Sequence, residues 1–147
     1  MIPDFTSDGT LPPGIHEGSW DEFVNRFATN PHRRHLLAGL KEAALSLKHA
    51  GCRRIFVGGS YVTTKESPAD FDACWDMTGV DPTHLDPILL IFDPGRAAQK
   101  AKYGGELFLA QATEQGCGKI FLDFFMTKRD TGGPKGIVAI NLEEVSR

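Results

Sequence analysis

The sequence predicts an α+β fold: a small mixed β-sheet with helices packed mainly on one face. Three observations carry this. One long segment, Pro31 to about Ala50, repeats apolar residues at helical spacing. Four short segments rich in β-branched and aromatic residues follow it, bounded by Gly and Pro. The chain has 147 residues and a formal net charge of −3, which suits one domain with a core of its own. No linker or internal repeat divides it, so residues 1–147 read as a single domain.

Residues 1–19 read as an irregular N-terminal segment, with Leu11-Pro12-Pro13-Gly14 as a turn or extended stretch. Ser19 followed by Glu22 is a capping-box pattern, so a short helix should begin at Trp20. Asn30 is a good N-cap, Pro31 suits the first helical position, and Gly51 ends the long helix. Arg33, Arg34 and His35 fall in its first turn, where the helix dipole disfavours positive charge. They read as a solvated face or as contacts to an anionic ligand. Arg53–Val57 is the first strand and Phe71–Trp75 the second. His84–Leu90 and Arg96–Tyr103 read as short helices, and Glu106–Glu114 is open between helix and strand. Lys119–Thr127 reads as a strong strand, Gly132-Gly133-Pro134 as a turn, and Gly136–Leu142 as the last strand.

Composition narrows the function. The acidic balance disfavours a broad nucleic-acid-coating surface. No apolar run approaches the roughly 18 residues a membrane helix needs, and the N-terminus lacks a signal-peptide pattern. A cytoplasmic protein without membrane contact is expected. Cys52, Cys74 and Cys117 have no zinc or redox spacing and read as reduced, mostly packed thiols.

The chemistry concentrates in Val57-Gly58-Gly59-Ser60 and in Asp70-Phe71-Asp72, nine residues on. Gly58 and Gly59 let backbone N–H groups approach a phosphate, and a helix starting at Ser60 would add its own N–H groups and a hydroxyl. Asp70 and Asp72 are one residue apart on a strand, so both carboxylates point to one face while Phe71, Ala73 and Trp75 point to the core. Two such charges at ~4 Å cost about 4 kcal/mol at an effective dielectric of ~20 unless a cation intervenes. Mg2+, which takes carboxylates together with substrate phosphates, is that cation. Asp123, alone in the most apolar stretch of the chain, is the expected third carboxylate on a neighbouring strand. The alternatives are a solvated loop for Asp70 and Asp72, and a structural salt bridge for Asp123.

Strand, Gly-Ser, a short spacer, Asp-x-Asp and a later strand with one more Asp resembles the polymerase-β-type nucleotidyltransferase superfamily. Phe71 and Ala73 fit its hydrophobic slots. The whole chain also resembles short bacterial nucleotidyltransferase-like proteins through Leu11-Pro12-Pro13-Gly14-Ile15-His16, Gly58–Thr63 and Lys135-Gly136-Ile137-Val138. This wider likeness implies less about activity. The resemblance implies two Mg2+ ions on Asp70, Asp72 and Asp123, phosphate binding by Gly58, Gly59 and Ser60, and transfer of a nucleoside monophosphate from a nucleoside triphosphate. Lys65, in the phosphate-side loop, is a candidate for the β- or γ-phosphate. The acceptor would be a tRNA or a protein, with an antitoxin partner or a homodimer supplying the grip, as in toxin–antitoxin or defence loci. The alternative is a nucleotide- or partner-binding module with little turnover on the same fold.

Overall fold

A computed structural model describes residues 1–146. The elements are β1 (Gly14–Gly18), α1 (Trp20–Phe27), α2 (Pro31–His49), β2 (Arg54–Gly58), β3 (Phe71–Trp75), α3 (Ala97–Tyr103), β4 (Gly105–Leu109), α4 (Phe121–Phe125) and β5 (Gly136–Asn141). The strands form one mixed sheet in the order β1-β5-β2-β3-β4. Its two outer pairs are parallel and its inner pairs antiparallel.

The helix starts follow the expected capping chemistry. Ser19 accepts a hydrogen bond from Glu22 N at 3.0 Å, and Asn30 accepts one from Arg33 N at 2.8 Å. The capping box is only half closed, because the Glu22 carboxylate takes the Ile2 N–H at 2.7 Å. Gly51, at φ +97°, turns the chain out of α2, and Cys52 N donates back to Leu47 O at 2.9 Å.

Strand alternation sorts the sheet into two faces. Ile55, Val57, Phe71, Ala73, Trp75, Leu107, Val138 and Ile140 join residues of α1, α2 and α3 in the main core. Phe56, Cys74, Ile137 and Ala139 lie on the other face, covered by Phe125 and its neighbours on α4. Three helices therefore cover one face and a short one partly covers the other.

Two expectations are corrected. The segment read as irregular contains β1, which pairs in parallel with β5 from Gly14↔Gly136 to Gly18↔Ile140. An edge strand needs one partner only, and this one lies more than a hundred residues away, beyond any local signal. The stretch read as a strong strand, Lys119–Thr127, forms α4 instead. An unbroken apolar run has no period of its own. Here Phe121, Leu122, Phe124 and Phe125 cap the second face of the sheet. The remaining differences are smaller: His84–Leu90 becomes two 3-10 turns, Pro82–His84 and Pro87–Leu90, and the open segment after Gly104 supplies β4. Among the described residues no helix is long and apolar enough to cross a membrane.

Candidate functional site

β2 ends in the glycine pair, and the turn after it is held from below. Residues Gly59–Val62 form a 3-10 turn rather than the helix expected at Ser60. Tyr61 is fully buried on Phe23, with ring centroids 5.9 Å apart, and its hydroxyl donates to Arg33 O at 2.9 Å. The Arg33 guanidinium in turn donates to Tyr61 O at 2.7 Å, Thr63 O at 2.9 Å and Phe27 O at 3.1 Å, and to Lys65 O. Arg33 is thus a buried clamp, neither solvated nor free for a ligand. It closes the loop after the turn around one side chain. Desolvation pushes its pKa down, and the carbonyls replace the lost water.

Sheet register then assembles the acids. Gly58 pairs with Asp72 across β2 and β3. Asp72 pairs with Glu106 across β3 and β4, and Asp70 leads into β3 two residues earlier. Asp70, Asp72 and Glu106 line one cleft together with Gly59 and Ser60. Gly59 sits at φ +66°, and a Cβ there would lie 2.4 Å from Asp72 Oδ2. Only glycine allows this approach of turn to carboxylate. The cleft, about 330 Å³, has an aromatic part from Phe108, Phe124 and Phe125 and a polar part from Thr127, Arg129 and Lys135.

The electrostatics are those of crowded like charges. Burial, then Asp70 and Glu106, push the Asp72 carboxyl up to about 7. Lys100, on α3, answers part of this charge: its Nζ lies 3.2 Å from Glu106 Oε1 and 3.5 Å from Asp70 Oδ2. Its own pKa is raised, first by the Glu106 hydrogen bond. Lys100 is thereby tied to two of the acids that line the cleft.

Three expected site residues do not line the cleft, and the first, Gly58, is a buried residue of β2 paired with Asp72. Asp123 is exposed on α4 and does not line the cleft. Its apolar neighbours face the sheet, and the helical turn, not a strand pleat, directs its side chain to solvent. Lys65 is exposed on a separate hollow beside Phe5, Arg26 and Asn30, because Arg33 draws the loop backbone away from the acids. Glu106 takes the place expected for Asp123. The signal for it was modest: Glu106 and Phe108 alternate with Leu107 and Leu109 straight after a Gly-Gly break.

Three carboxylates with hard oxygen donors are the right chemistry for Mg2+. The crowding at Asp72 is what a divalent ion would relieve. Yet among the described residues no group of three or more His, Cys, Asp or Glu side chains is already drawn together at metal-holding spacing. Asp70 and Glu106 are turned to Lys100 instead.

Residues 3–141 match a family of unknown function, DUF6932. The chain belongs to that family. No curated protein and no solved structure matches it. The DUF6932 match runs from the N-terminal segment through β5, so it takes in every residue that lines the cleft.

Proposed function

We propose that this DUF6932 chain is a Mg2+-dependent nucleotidyltransferase that moves a nucleoside monophosphate from a nucleoside triphosphate to a protein or RNA acceptor. One observation carries the reading: the register that sets Glu106 beside Asp72, next to Asp70 and against the Gly59-Ser60 turn. In such a reaction an acceptor hydroxyl attacks the α-phosphate in line and pyrophosphate leaves. Bound Mg2+ would neutralise the acids and polarise the phosphoryl oxygens. Asp70, Asp72 and Glu106 hold that charge in place. Gly59 presents backbone where a side chain would block a phosphate, and Ser60 offers a hydroxyl beside it. The aromatic part of the cleft keeps water away from the reacting groups. The acceptor, by this reading, is a tRNA or a protein, including an antitoxin-type partner or a second copy of the chain.

The test is transfer of label from α-labelled nucleoside triphosphates to protein and RNA in the presence of Mg2+. Asp70→Ala with Asp72→Ala should abolish it. Glu106→Ala should lower it by at least about a hundredfold, the scale of losing one preorganised charge contact, while Asp123→Ala should leave it within about twofold. Labelling that survives Glu106→Ala but not Asp123→Ala would reverse the assignment.

A second reading, a nucleotide-binding module with little turnover, is favoured by Lys100, which already spans Asp70 and Glu106. Calorimetry with Mg2+ and a non-hydrolysable triphosphate separates the two. Binding without label transfer across a broad acceptor screen supports the module.

A further inference from the structure

We propose that Lys135, with Arg129 beside it, forms a phosphate-binding subsite of the cleft, held in position by the junction of β1 and β5. The inference rests on the nucleotidyl-transfer reading for its ligand and adds residues which that reading does not use.

Sheet order gives the placement. β5 and β3 flank β2 on opposite sides, so the glycine turn at the end of β2 has Asp72 on one side and Lys135 on the other. Lys135, Ile137 and Ala139 alternate onto the face that carries the cleft. A phosphate lying on the turn would meet carboxylate-held cations from one flank and the Lys135 ammonium from the other.

The charge has no contact partner, although Asp72 and Asp130 act on it from a distance, against Arg129 and Lys128. Lys135 is half-buried, and among the described residues its side chain has no ion pair and no hydrogen bond. Burial, the largest influence on it, lowers its pKa. A partly desolvated ammonium without an anion is unfavourable. Of the other two basic residues in this region, Lys128 is taken by Asp8. Arg129 is exposed, lies 6.0 Å from the Phe124 ring, and is likewise without an ion pair among the described residues. Two cations thus reach one cleft with no carboxylate at pairing distance.

The backbone under Lys135 is rigidly seated. Lys135 N donates to Met126 O at 2.9 Å, and Gly136 N donates to Leu11 O at 3.1 Å. A Cβ on Gly136 would stand 2.0 Å from Pro12 O and 2.9 Å from His16 Nε2. His16 Nε2 itself is hydrogen-bonded to Pro12 O at 2.6 Å. The segments Leu11–His16 and Lys135–Val138, far apart in the chain, are therefore one structure, and its product is a fixed lysine at the cleft wall.

The ligand chemistry is phosphate, either the polyphosphate tail of a nucleotide or the phosphodiester of an RNA acceptor. Titration of the full chain with inorganic triphosphate at fixed Mg2+, and separately with a single-stranded RNA oligonucleotide, tells them apart. Lys135→Met should weaken one of these probes by about tenfold or more. Lys135→Arg should restore most of the loss, and Arg129→Gln should cost several-fold. Mg2+ affinity in the absence of phosphate should not weaken in Lys135→Met, and an unchanged melting temperature shows that the variant folds. A larger loss for triphosphate assigns the subsite to the nucleotide, and a larger loss for RNA assigns it to the acceptor. Wild-type affinity of Lys135→Met for both probes, or no binding of either by the wild type, overturns the subsite. Unchanged Mg2+ binding in Asp70→Asn with Asp72→Asn would instead sink the metal-dependent reading and leave the Lys135 result to be judged by itself.

Discussion

Asp72 has two acids for neighbours and a glycine pressed against its Oδ2. Its carboxyl titrates near 7 in the folded chain against 3.8 for an ordinary Asp. Well below pH 3.8 it is neutral in both folded and unfolded chains and costs nothing. As pH rises, the unfolded chain ionises first, the folded chain holds the extra proton, and stability falls until about pH 7, above which the full cost is present. In metal-free buffer Asp72→Asn should therefore match the wild type at about pH 3 and exceed it by about 2–4 kcal/mol at pH 8. Denaturant unfolding at the two pH values checks this. A variant less stable than wild type at pH 8 would show that the carboxylate is well compensated without metal. The cost at this residue is consistent with a group kept for a ligand rather than for the fold.

Between elements, Arg33 is the main tie. It sits in the first turn of α2, where the dipole opposes it, yet it is 3% exposed and donates to carbonyls of α1, of the glycine turn and of the following loop. Arg33→Met keeps the stem and strips the donors. It should cost about 3 kcal/mol, since several buried carbonyls lose their partners. Amide exchange should accelerate first in residues 61–65. Exchange that stays unchanged there would mean that the loop is held by Tyr61 alone. A second close fit supports the same layer: a Cβ on Gly39 of α2 would come 1.7 Å from Tyr103 O at the end of α3. α3 is thereby set against α2, and from it Lys100 reaches Asp70, just before β3, and Glu106 on β4.

Across the whole molecule, the sheet divides labour between its faces. One is sealed by α1, α2 and α3 and supplies the main core. The other leaves room beside α4 for a cleft lined by the turn after β2, by β3 and β4, by α4 and by the segment that leads into β5. A ligand in that cleft touches residues brought together only by the fold, so its binding should be felt in global stability. Mg2+ at about a hundred times its dissociation constant should add about 2.7 kcal/mol to unfolding, and the gain should vanish in Asp70→Asn with Asp72→Asn. Thermal unfolding with and without Mg2+ measures it. An equal gain in that double variant would place the ion elsewhere.

The residues of α2, β2, β3 and β5 carried their own signals: apolar spacing, caps, and short β-prone runs ending in glycine. The common face of Asp70 and Asp72 and the Gly59-Ser60 turn were legible for the same reason, because strand alternation and glycine's freedom act within a few residues. Glu106 was not, because its role depends on which strand lies beside β3, and a parallel neighbour is chosen by packing across the sheet. Asp123 misled because an apolar run fits a strand or a helix equally well until something must cover the second face. Arg33 and Lys135 look like surface charges in the sequence. One is buried by the loop that folds over it, the other aimed by a strand pairing between the two ends of the chain. Local chemistry chose most of the elements, while tertiary packing chose β1 and α4, and long-range register, which no short window of sequence encodes, chose which side chains meet.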